Sequence, residues 1–120
     1  MKIVIVVATL ILGLLPWSGN AQTETGTASF YHNKFHGRRT SSGEVFSQSL
    51  FTCAHKSYPF GTMLKVTNLS NDSTVVVKVN DRLPQRSKRC VDLSMVAAKQ
   101  LNFVGKGLTK VRVEKVKEYW

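Results

Sequence analysis

The sequence predicts a small, mainly β domain that forms a barrel with one clear helix, preceded by an export signal. Three observations support this fold class. Most apolar residues lie in short alternating or β-branched segments, which is typical of strands. Only one segment has clear helical spacing, and polar clusters rich in Gly, Pro, Asn and Ser separate the elements. The chain has 120 residues, of which 42% are apolar, so it accommodates one globular domain and is not disordered.

The first 21 residues are interpreted as a signal peptide. Lys2 gives a positive start, residues 3–15 carry no charge, and Gly19-Asn20-Ala21 offers the small-x-small cleavage pattern. The apolar run is too short for a membrane span, which needs about 20 residues; an uncleaved anchor is the alternative. We therefore expect a domain over residues 22–120 that is periplasmic or secreted, with no stable membrane insertion after cleavage. No cysteine follows the run, so a lipid anchor is not expected.

The strands are predicted from alternation and β-branched residues. The first alternates Ala28 and Phe30 with Ser29 and Tyr31, and the segment TVVVKV is strongly β-branched. The last alternates valines with charged residues. Strands are predicted at 26–33, 62–68, 74–79, 90–93 and 108–116, with a further short strand at 44–46.

The remaining elements are one helix, a few helical turns and polar loops. Residues 95–101 are expected to form the helix, with Ser94 as N-cap. Residues 50–56 are expected to form one or two helical turns before the turn at Pro59. The stretches 34–43 and 80–89 are basic and lack periodicity, so both are predicted to be loops.

The charge and the cysteines narrow the classes of partner and site. Seventeen basic against seven acidic side chains give a formal net charge of +10, which favours an anionic partner. Aromatic rings among the basic residues suit sugars or single-stranded nucleic acid, and export favours cell-wall glycans. In an oxidising compartment Cys53 and Cys90 are expected to form a disulfide; two buried thiols are the alternative.

Acidic residues are scarce, and each has a structural alternative. Asp81 directly follows a β-branched strand and can be aimed at a substrate or paired with a nearby arginine. Glu44 follows Ser41-Ser42-Gly43, in a loop that could bend over a groove or remain solvated. Asp92 stands two residues before the helix, so we assign it a structural role at the helix start. The three histidines have no acidic partner at ligand spacing, so no metal site is predicted.

Eight short motifs in fixed order resemble the rare lipoprotein A (RlpA-like) family. They are GTASFY at 26–31, FHGR at 35–38, TSSGEVF at 40–46, AHK at 54–56, PFGT at 59–62, VTNL at 66–69, VNDR at 79–82 and VDLS at 91–94. Each motif is weak alone, but their order and spacing are specific. The chain departs from the family where Leu83-Pro84 replaces the usual Gly-Pro, beside Asp81.

The resemblance implies a six-stranded double-psi β-barrel with one or two short helices. It also implies a lytic transglycosylase that cuts MurNAc-GlcNAc β-1,4 bonds of peptide-poor peptidoglycan strands. The products carry 1,6-anhydroMurNAc ends, and no metal or cofactor is expected. The expected partners are glycan strands rather than nucleic acid, and the protein is expected to be monomeric. A glycan-binding module of the expansin or barwin type is the alternative, and a hydrolytic endoglucanase is a third.

The resemblance also assigns site residues. By motif, Asp81 is the expected catalytic acid and base, and its pKa should be raised. Glu44 is expected to be the neighbouring carboxylate that raises it, and His55 the hydrogen-bond partner that sets its protonation. The expected substrate-binding residues are Tyr31, His36, Arg38, Asn80 and Arg82.

Overall fold

The structure, a computed structural model, describes residues 23–117. The predicted signal peptide over residues 1–21 and the predicted mature N-terminus at Gln22 lie outside the described residues. Six strands close into a barrel in the order β1-β5-β2-β4-β3-β6. They are β1 (Thr23–Phe30), β2 (Thr52–His55), β3 (Met63–Asn68), β4 (Thr74–Arg82), β5 (Val91–Leu93) and β6 (Thr109–Lys115). The predicted six-stranded barrel is confirmed.

Two parallel strand pairs define the topology. β1 runs parallel to β5, and β2 runs parallel to β4, whereas the four other neighbouring pairs are antiparallel. Parallel neighbours require crossover connections, so each half of the chain must cross the barrel. The strands β1, β5, β2 and β4 are consecutive in the barrel, and they carry the polar residues Ser29, Asp92 and Asp81.

The core follows the two-residue period of the strands. Leu64 and Val66 of β3 are fully buried, whereas Lys65 between them is exposed. Val75, Val77 and Val79 of β4 are buried in the same manner. Each such side chain contributes about 1.5–3 kcal/mol when it is removed from water. This regularity explains why the strands β3, β4 and β6 were predictable from alternation.

One short helix, α1 (Met95–Gln100), packs on the barrel through Ala97 and Ala98. Ser94 occupies the N-cap position, but its side chain makes no capping bond. Instead, Gln48 Oε1 accepts a hydrogen bond from the Met95 N–H at 2.7 Å. The predicted helix is confirmed, and its capping group comes from a distant loop rather than from the preceding residue. No helix within residues 23–117 has the length and hydropathy that a membrane crossing requires.

Three predicted segments differ from the structure. Residues 50–56 contain no helical turns, because Thr52–His55 forms β2 and is buried between β4 and β5. Pairing on both sides outweighs the weak local preference of this segment. The predicted strand at 44–46 is reduced to a single bridge between Arg39 and Val45. In addition, β4 continues through Arg82, so Asp81 lies within a strand and not in a loop.

Candidate active site

A row of four residues crosses four neighbouring strands at the same level of the barrel. Ser29 of β1 is in register with Asp92 of β5, and Asp92 is in register with Ala54 of β2. Ala54 is in turn in register with Asp81 of β4. The two carboxylates therefore flank one small residue, with their backbones roughly 10 Å apart, since neighbouring strands are spaced by 4.7–4.9 Å.

The strand β4 carries an irregularity that gives Asp81 its place in this row. Cys53 pairs with Val79, but the next residue, Ala54, pairs with Asp81, so Asn80 is an extra residue in β4. Such a bulge reverses the alternation of side chains beyond it. Without it, Asp81 would share the inward face of Val77 and Val79. The bulge brings the carboxylate to the same side as Ala54.

The row forms the floor of an open cleft of about 420 Å³. Tyr31 and Phe35 form an aromatic wall, with Tyr31 stacked on the buried Phe46 at a centroid distance of 4.2 Å. Arg82 supplies positive charge, whereas Arg89 is paired with Asp92. The complete lining is Ser29, Phe30, Tyr31, His32, Phe35, Ala54, Asp81, Arg82, Leu83, Pro84, Arg89 and Asp92. Aromatic surface beside carboxylates and cations suits a sugar chain with acidic groups.

Asp81 is held by neutral donors. The Tyr31 hydroxyl donates to Oδ2 at 2.5 Å, and the Ser41 backbone N–H donates to Oδ1 at 2.9 Å. Burial raises the pKa of Asp81, but the hydrogen bonds from Tyr31, Ser41 and the Arg82 backbone outweigh it, and the pKa lies below its ordinary value. The expectation that the pKa of Asp81 is raised is therefore wrong for the protein without substrate. Burial and the same bond raise the pKa of Tyr31, so the phenol keeps its proton.

Asp92 also lines the cleft, although the sequence assigned it to the start of the helix. It accepts two hydrogen bonds from Arg89, at 2.7 and 3.0 Å, and one from Ser29 Oγ at 2.5 Å. Val91 and Leu93 on either side are fully buried, so strand alternation turns Asp92 outward. This apolar–Asp–apolar pattern within VDL was the signal that could have identified it.

Glu44 is not placed as expected beside the Asp81 carboxylate. Its Oε2 accepts from Lys78 Nζ at 2.9 Å, and its Oε1 accepts from Asn80 Nδ2 at 3.1 Å. These bonds to Lys78 and Asn80 lower the pKa of Glu44. Glu44 is exposed, does not line the cleft, and is not among the groups that shift the pKa of Asp81. The prediction that Glu44 raises the pKa of Asp81 is thus wrong.

His55 faces away from the cleft. It follows Ala54 on β2, and successive side chains of a strand point to opposite faces. Its Nδ1 accepts from the Ser57 and Tyr58 N–H groups, each at 3.1 Å, so the proton is assigned to Nε2. Nε2 donates to Glu24 Oε1 at 2.9 Å. The expected hydrogen bond between His55 and Asp81 is therefore replaced by one to Glu24.

The expected substrate-binding residues divide into two groups. Tyr31 and Arg82 line the cleft, and Arg82 lies 4.2 Å above the ring of Phe60. The other three, His36, Arg38 and Asn80, do not line it. His36 Nδ1 accepts from the Gln48 N–H, and the Arg38 guanidinium lies 5.6 Å from the centroid of the Phe35 ring.

The predicted disulfide is wrong, because Cys53 and Cys90 are buried free thiols. Cys53 is in register with Leu93, which follows Cys90 by three residues in the chain. Three residues of a strand span about 10 Å, whereas a disulfide needs Cα atoms within about 7 Å. Cys90 instead packs against Gly26, where an added Cβ would lie 3.0 Å from both Cβ and Sγ of Cys90.

Comparison with known proteins places these features in a family. The family described as lytic transglycolase matches residues 23–113. The endolytic peptidoglycan transglycosylase RlpA of Pasteurella multocida is 47% identical over 89 residues, which cover 74% of this chain and 30% of that protein. The RlpA proteins of Campylobacter jejuni and Neisseria meningitidis are 47% and 45% identical, over 78% of this chain and 34% and 39% of their own lengths. The chain therefore spans about a third of the length of these curated relatives.

Solved structures share the fold at lower identity. The Streptomyces papain inhibitor has a TM-score of 0.65 and 22% identity, with 80% of this chain and 96% of that chain covered. A variant of the Clavibacter michiganensis expansin in complex with cellohexaose has a TM-score of 0.63 and 23% identity, with 82% and 52% covered. These likenesses confirm the predicted double-psi β-barrel.

Proposed function

Because this chain belongs to the RlpA-like lytic transglycosylase family, we propose that its cleft cuts the glycan strands of peptidoglycan. The substrate is a peptide-poor strand, and the bond cut is the β-1,4 link from MurNAc to GlcNAc. The observation that carries the proposal is the position of Asp81 on the floor of an aromatic-walled cleft. Within residues 23–117 its carboxylate accepts hydrogen bonds from neutral groups and forms no salt bridge. A carboxyl without a salt bridge can give and take a proton.

In the proposed reaction Asp81 acts first as acid and then as base. Its carboxyl proton passes to the glycosidic oxygen as the bond from that oxygen to C1 of MurNAc breaks. The C6 hydroxyl of the same MurNAc then forms a bond to C1 and loses its proton to the Asp81 carboxylate. The product is a 1,6-anhydroMurNAc end and a free GlcNAc hydroxyl. The internal hydroxyl replaces water, and Asp81 ends in its initial protonation state.

The acid step requires a protonated Asp81, whereas hydrogen bonds hold its pKa low in the free protein. Burial acts in the opposite direction and is the largest single effect on this carboxyl. A glycan lying in the open cleft would exclude water from Asp81 and strengthen that effect. We infer that substrate binding raises the pKa of Asp81 and thereby favours its protonated form. Arg82, which lines the cleft, offers charge for the lactyl carboxylates of the strand.

Product analysis tests this proposal. The purified protein is incubated with peptide-free glycan strands in water enriched in the heavy oxygen isotope, and the new ends are examined by mass spectrometry. We expect anhydro ends that carry no solvent oxygen, and none from Asp81→Asn. Reducing ends labelled with solvent oxygen would contradict the lytic reaction and indicate hydrolysis.

A glycan-binding module without catalysis is the second candidate. The observation that favours it is the lowered pKa of Asp81, since an ionised carboxylate can bind hydroxyl groups without donating a proton. Sedimentation with insoluble peptidoglycan distinguishes the two functions. Equal binding by the unaltered protein and by Asp81→Asn, together with no new ends from either, would leave this candidate alone. For either function we propose a monomer that acts outside the cytoplasm.

A further inference from the structure

The loop over residues 40–44 contacts the end of β4 at several points, and we call it the β4 loop. Its Ser41 N–H donates to Asp81 Oδ1 at 2.9 Å, and its Ser42 N–H donates to the Asn80 carbonyl at 3.2 Å. Its last residue, Glu44, accepts from Asn80 Nδ2 and Lys78 Nζ. The loop therefore contacts Lys78, Asn80 and Asp81 of β4, and only the contact from Ser41 reaches the proposed catalytic group.

Internal hydrogen bonds hold the β4 loop in one shape. The Thr40 N–H donates to the Glu44 carbonyl at 2.8 Å, and the Gly43 N–H donates to the Thr40 carbonyl at 2.9 Å. Gly43 has a φ of +93°, which only glycine adopts without strain. Because the loop is closed on itself, a shift of Glu44 at one end would move the Ser41 N–H at the other.

We propose that Glu44 is a positioning residue, which anchors the β4 loop so that the Ser41 N–H is held on Asp81. The inference rests on the proposed function only for its effect on rate. Glu44 itself touches neither the cleft nor the Asp81 carboxylate. Its two partners, Lys78 and Asn80, instead lie on the strand that carries Asp81. The bulge at Asn80 thus gives both the outward turn of Asp81 and the amide that binds Glu44.

The charged and titratable groups around Asp81 limit what a change at Glu44 can do. Tyr31 donates to Asp81 from the end of β1, and Arg82 follows it on β4. Asp92 and Arg89 face the cleft from the β5 side and neutralise each other. None of these groups forms a hydrogen bond with Glu44. Removing the Glu44 side chain therefore acts on Asp81 through Ser41.

The test compares Glu44→Ala with Glu44→Gln, using Glu114→Gln as the matched control. The amide oxygen of Glu44→Gln can still accept from Asn80, whereas Glu44→Ala removes both anchors. Glu114, like Glu44, is an acid paired with a basic side chain, here Arg112, and it lies on β6 outside the cleft lining. The pKa of Asp81 is measured by NMR titration of its side-chain carboxyl carbon, and kcat and KM are measured on glycan strands.

We expect Glu44→Ala to raise the pKa of Asp81 and to lower kcat roughly 10- to 100-fold, with less effect on KM. Glu44→Gln should retain kcat to within about fivefold, because only an exposed ion pair is lost. Lys78→Met, which keeps the bond from Asn80, should behave like Glu44→Gln. Glu114→Gln should change neither quantity.

Two results would overturn the proposal. One is an unchanged Asp81 pKa in folded Glu44→Ala. The other is an activity in Glu44→Gln that is as low as in Glu44→Ala, which would indicate a carboxylate that reacts rather than one that anchors. The titration needs no substrate, so it decides the role of Glu44 even if the protein proves unable to cut glycan.

Discussion

Asp81 and Asp92 occupy equivalent places on the two strands that flank β2, and both are in register with Ala54. Their partners differ. Asp92 is bound by the Arg89 guanidinium through two hydrogen bonds, whereas Asp81 is bound by a phenol and a backbone N–H. A guanidinium stabilises the ionised carboxylate in a fixed position. Neutral donors orient a carboxylate and leave it able to exchange a proton. These partners support a structural role for Asp92 and the proposed reactive role for Asp81.

The largest expected effect follows from removing the reactive carboxyl. Asp81→Asn keeps the size of the side chain and an oxygen that Tyr31 can donate to, but it cannot transfer protons. We expect the rate of anhydro-end formation to fall roughly 10²- to 10⁴-fold, with glycan binding retained. A decrease below tenfold would mean that the cleft does not use Asp81 as its acid. Circular dichroism provides the control for folding.

The second prediction concerns Asp92, whose removal should affect stability more than chemistry. Asp92→Asn leaves Arg89 without its carboxylate, while Ser29 can still donate to the amide oxygen. Because Arg89 is 41% exposed, water compensates for part of the loss. We expect the free energy of unfolding to fall by about 1–2 kcal/mol in urea denaturation. Activity as low as that of Asp81→Asn would remove the distinction between the two acids.

The contrast between the acids also marks what the sequence could predict. The alternating valines of β4 and β6 identified those strands, because a two-sided strand leaves a two-residue pattern. The motif VNDR singled out Asp81, which lines the cleft in the structure. The sequence did not reveal the bulge at Asn80, because a bulge is a property of pairing between strands.

The surroundings of Asp92 and His55 also depend on how the strands pair, which the sequence does not show. Asp92 and Ser29 become neighbours only through the parallel register of β1 and β5. His55 is one residue from Ala54, so its motif placed it near the cleft and strand alternation turned it away. Motifs located residues along the chain, while side-chain direction required the register of the barrel.

The third prediction tests how substrate binding changes Asp81. The pH dependence of kcat/KM reports the free protein, and that of kcat reports the complex with substrate. Since Asp81 must be protonated to act as acid, kcat/KM should decrease as pH rises through its low free pKa. A glycan that excludes water raises this pKa, so kcat should decrease only at higher pH. If kcat and kcat/KM decreased at the same pH, substrate binding would not raise the pKa of Asp81, and the inference would be contradicted.

The smallest expected effect comes from Tyr31→Phe, which removes one neutral donor and keeps the stacking on Phe46. A hydrogen bond to the ionised form lowers the pKa of a carboxyl, so its loss raises the pKa of Asp81. The decrease of kcat/KM should then begin at a higher pH than in the unaltered protein. Arg89→Gln removes a partner of Asp92 and not of Asp81. The pH at which kcat/KM begins to decrease should therefore stay the same in this variant.

Tyr31→Phe should also change how the free energy of unfolding depends on pH, and the lowered pKa of Asp81 determines the direction of that change. The folded pKa of Asp81 is below its unfolded value, so this group stabilises the fold above the unfolded pKa and loses its contribution as pH falls through the folded pKa. Tyr31→Phe removes part of that contribution, and the deficit in unfolding free energy should be present at neutral pH and shrink in acid. A decrease in the free energy of unfolding that is equal at all pH values would instead indicate lost packing. It would mean that the Tyr31 hydroxyl does not lower the pKa of Asp81.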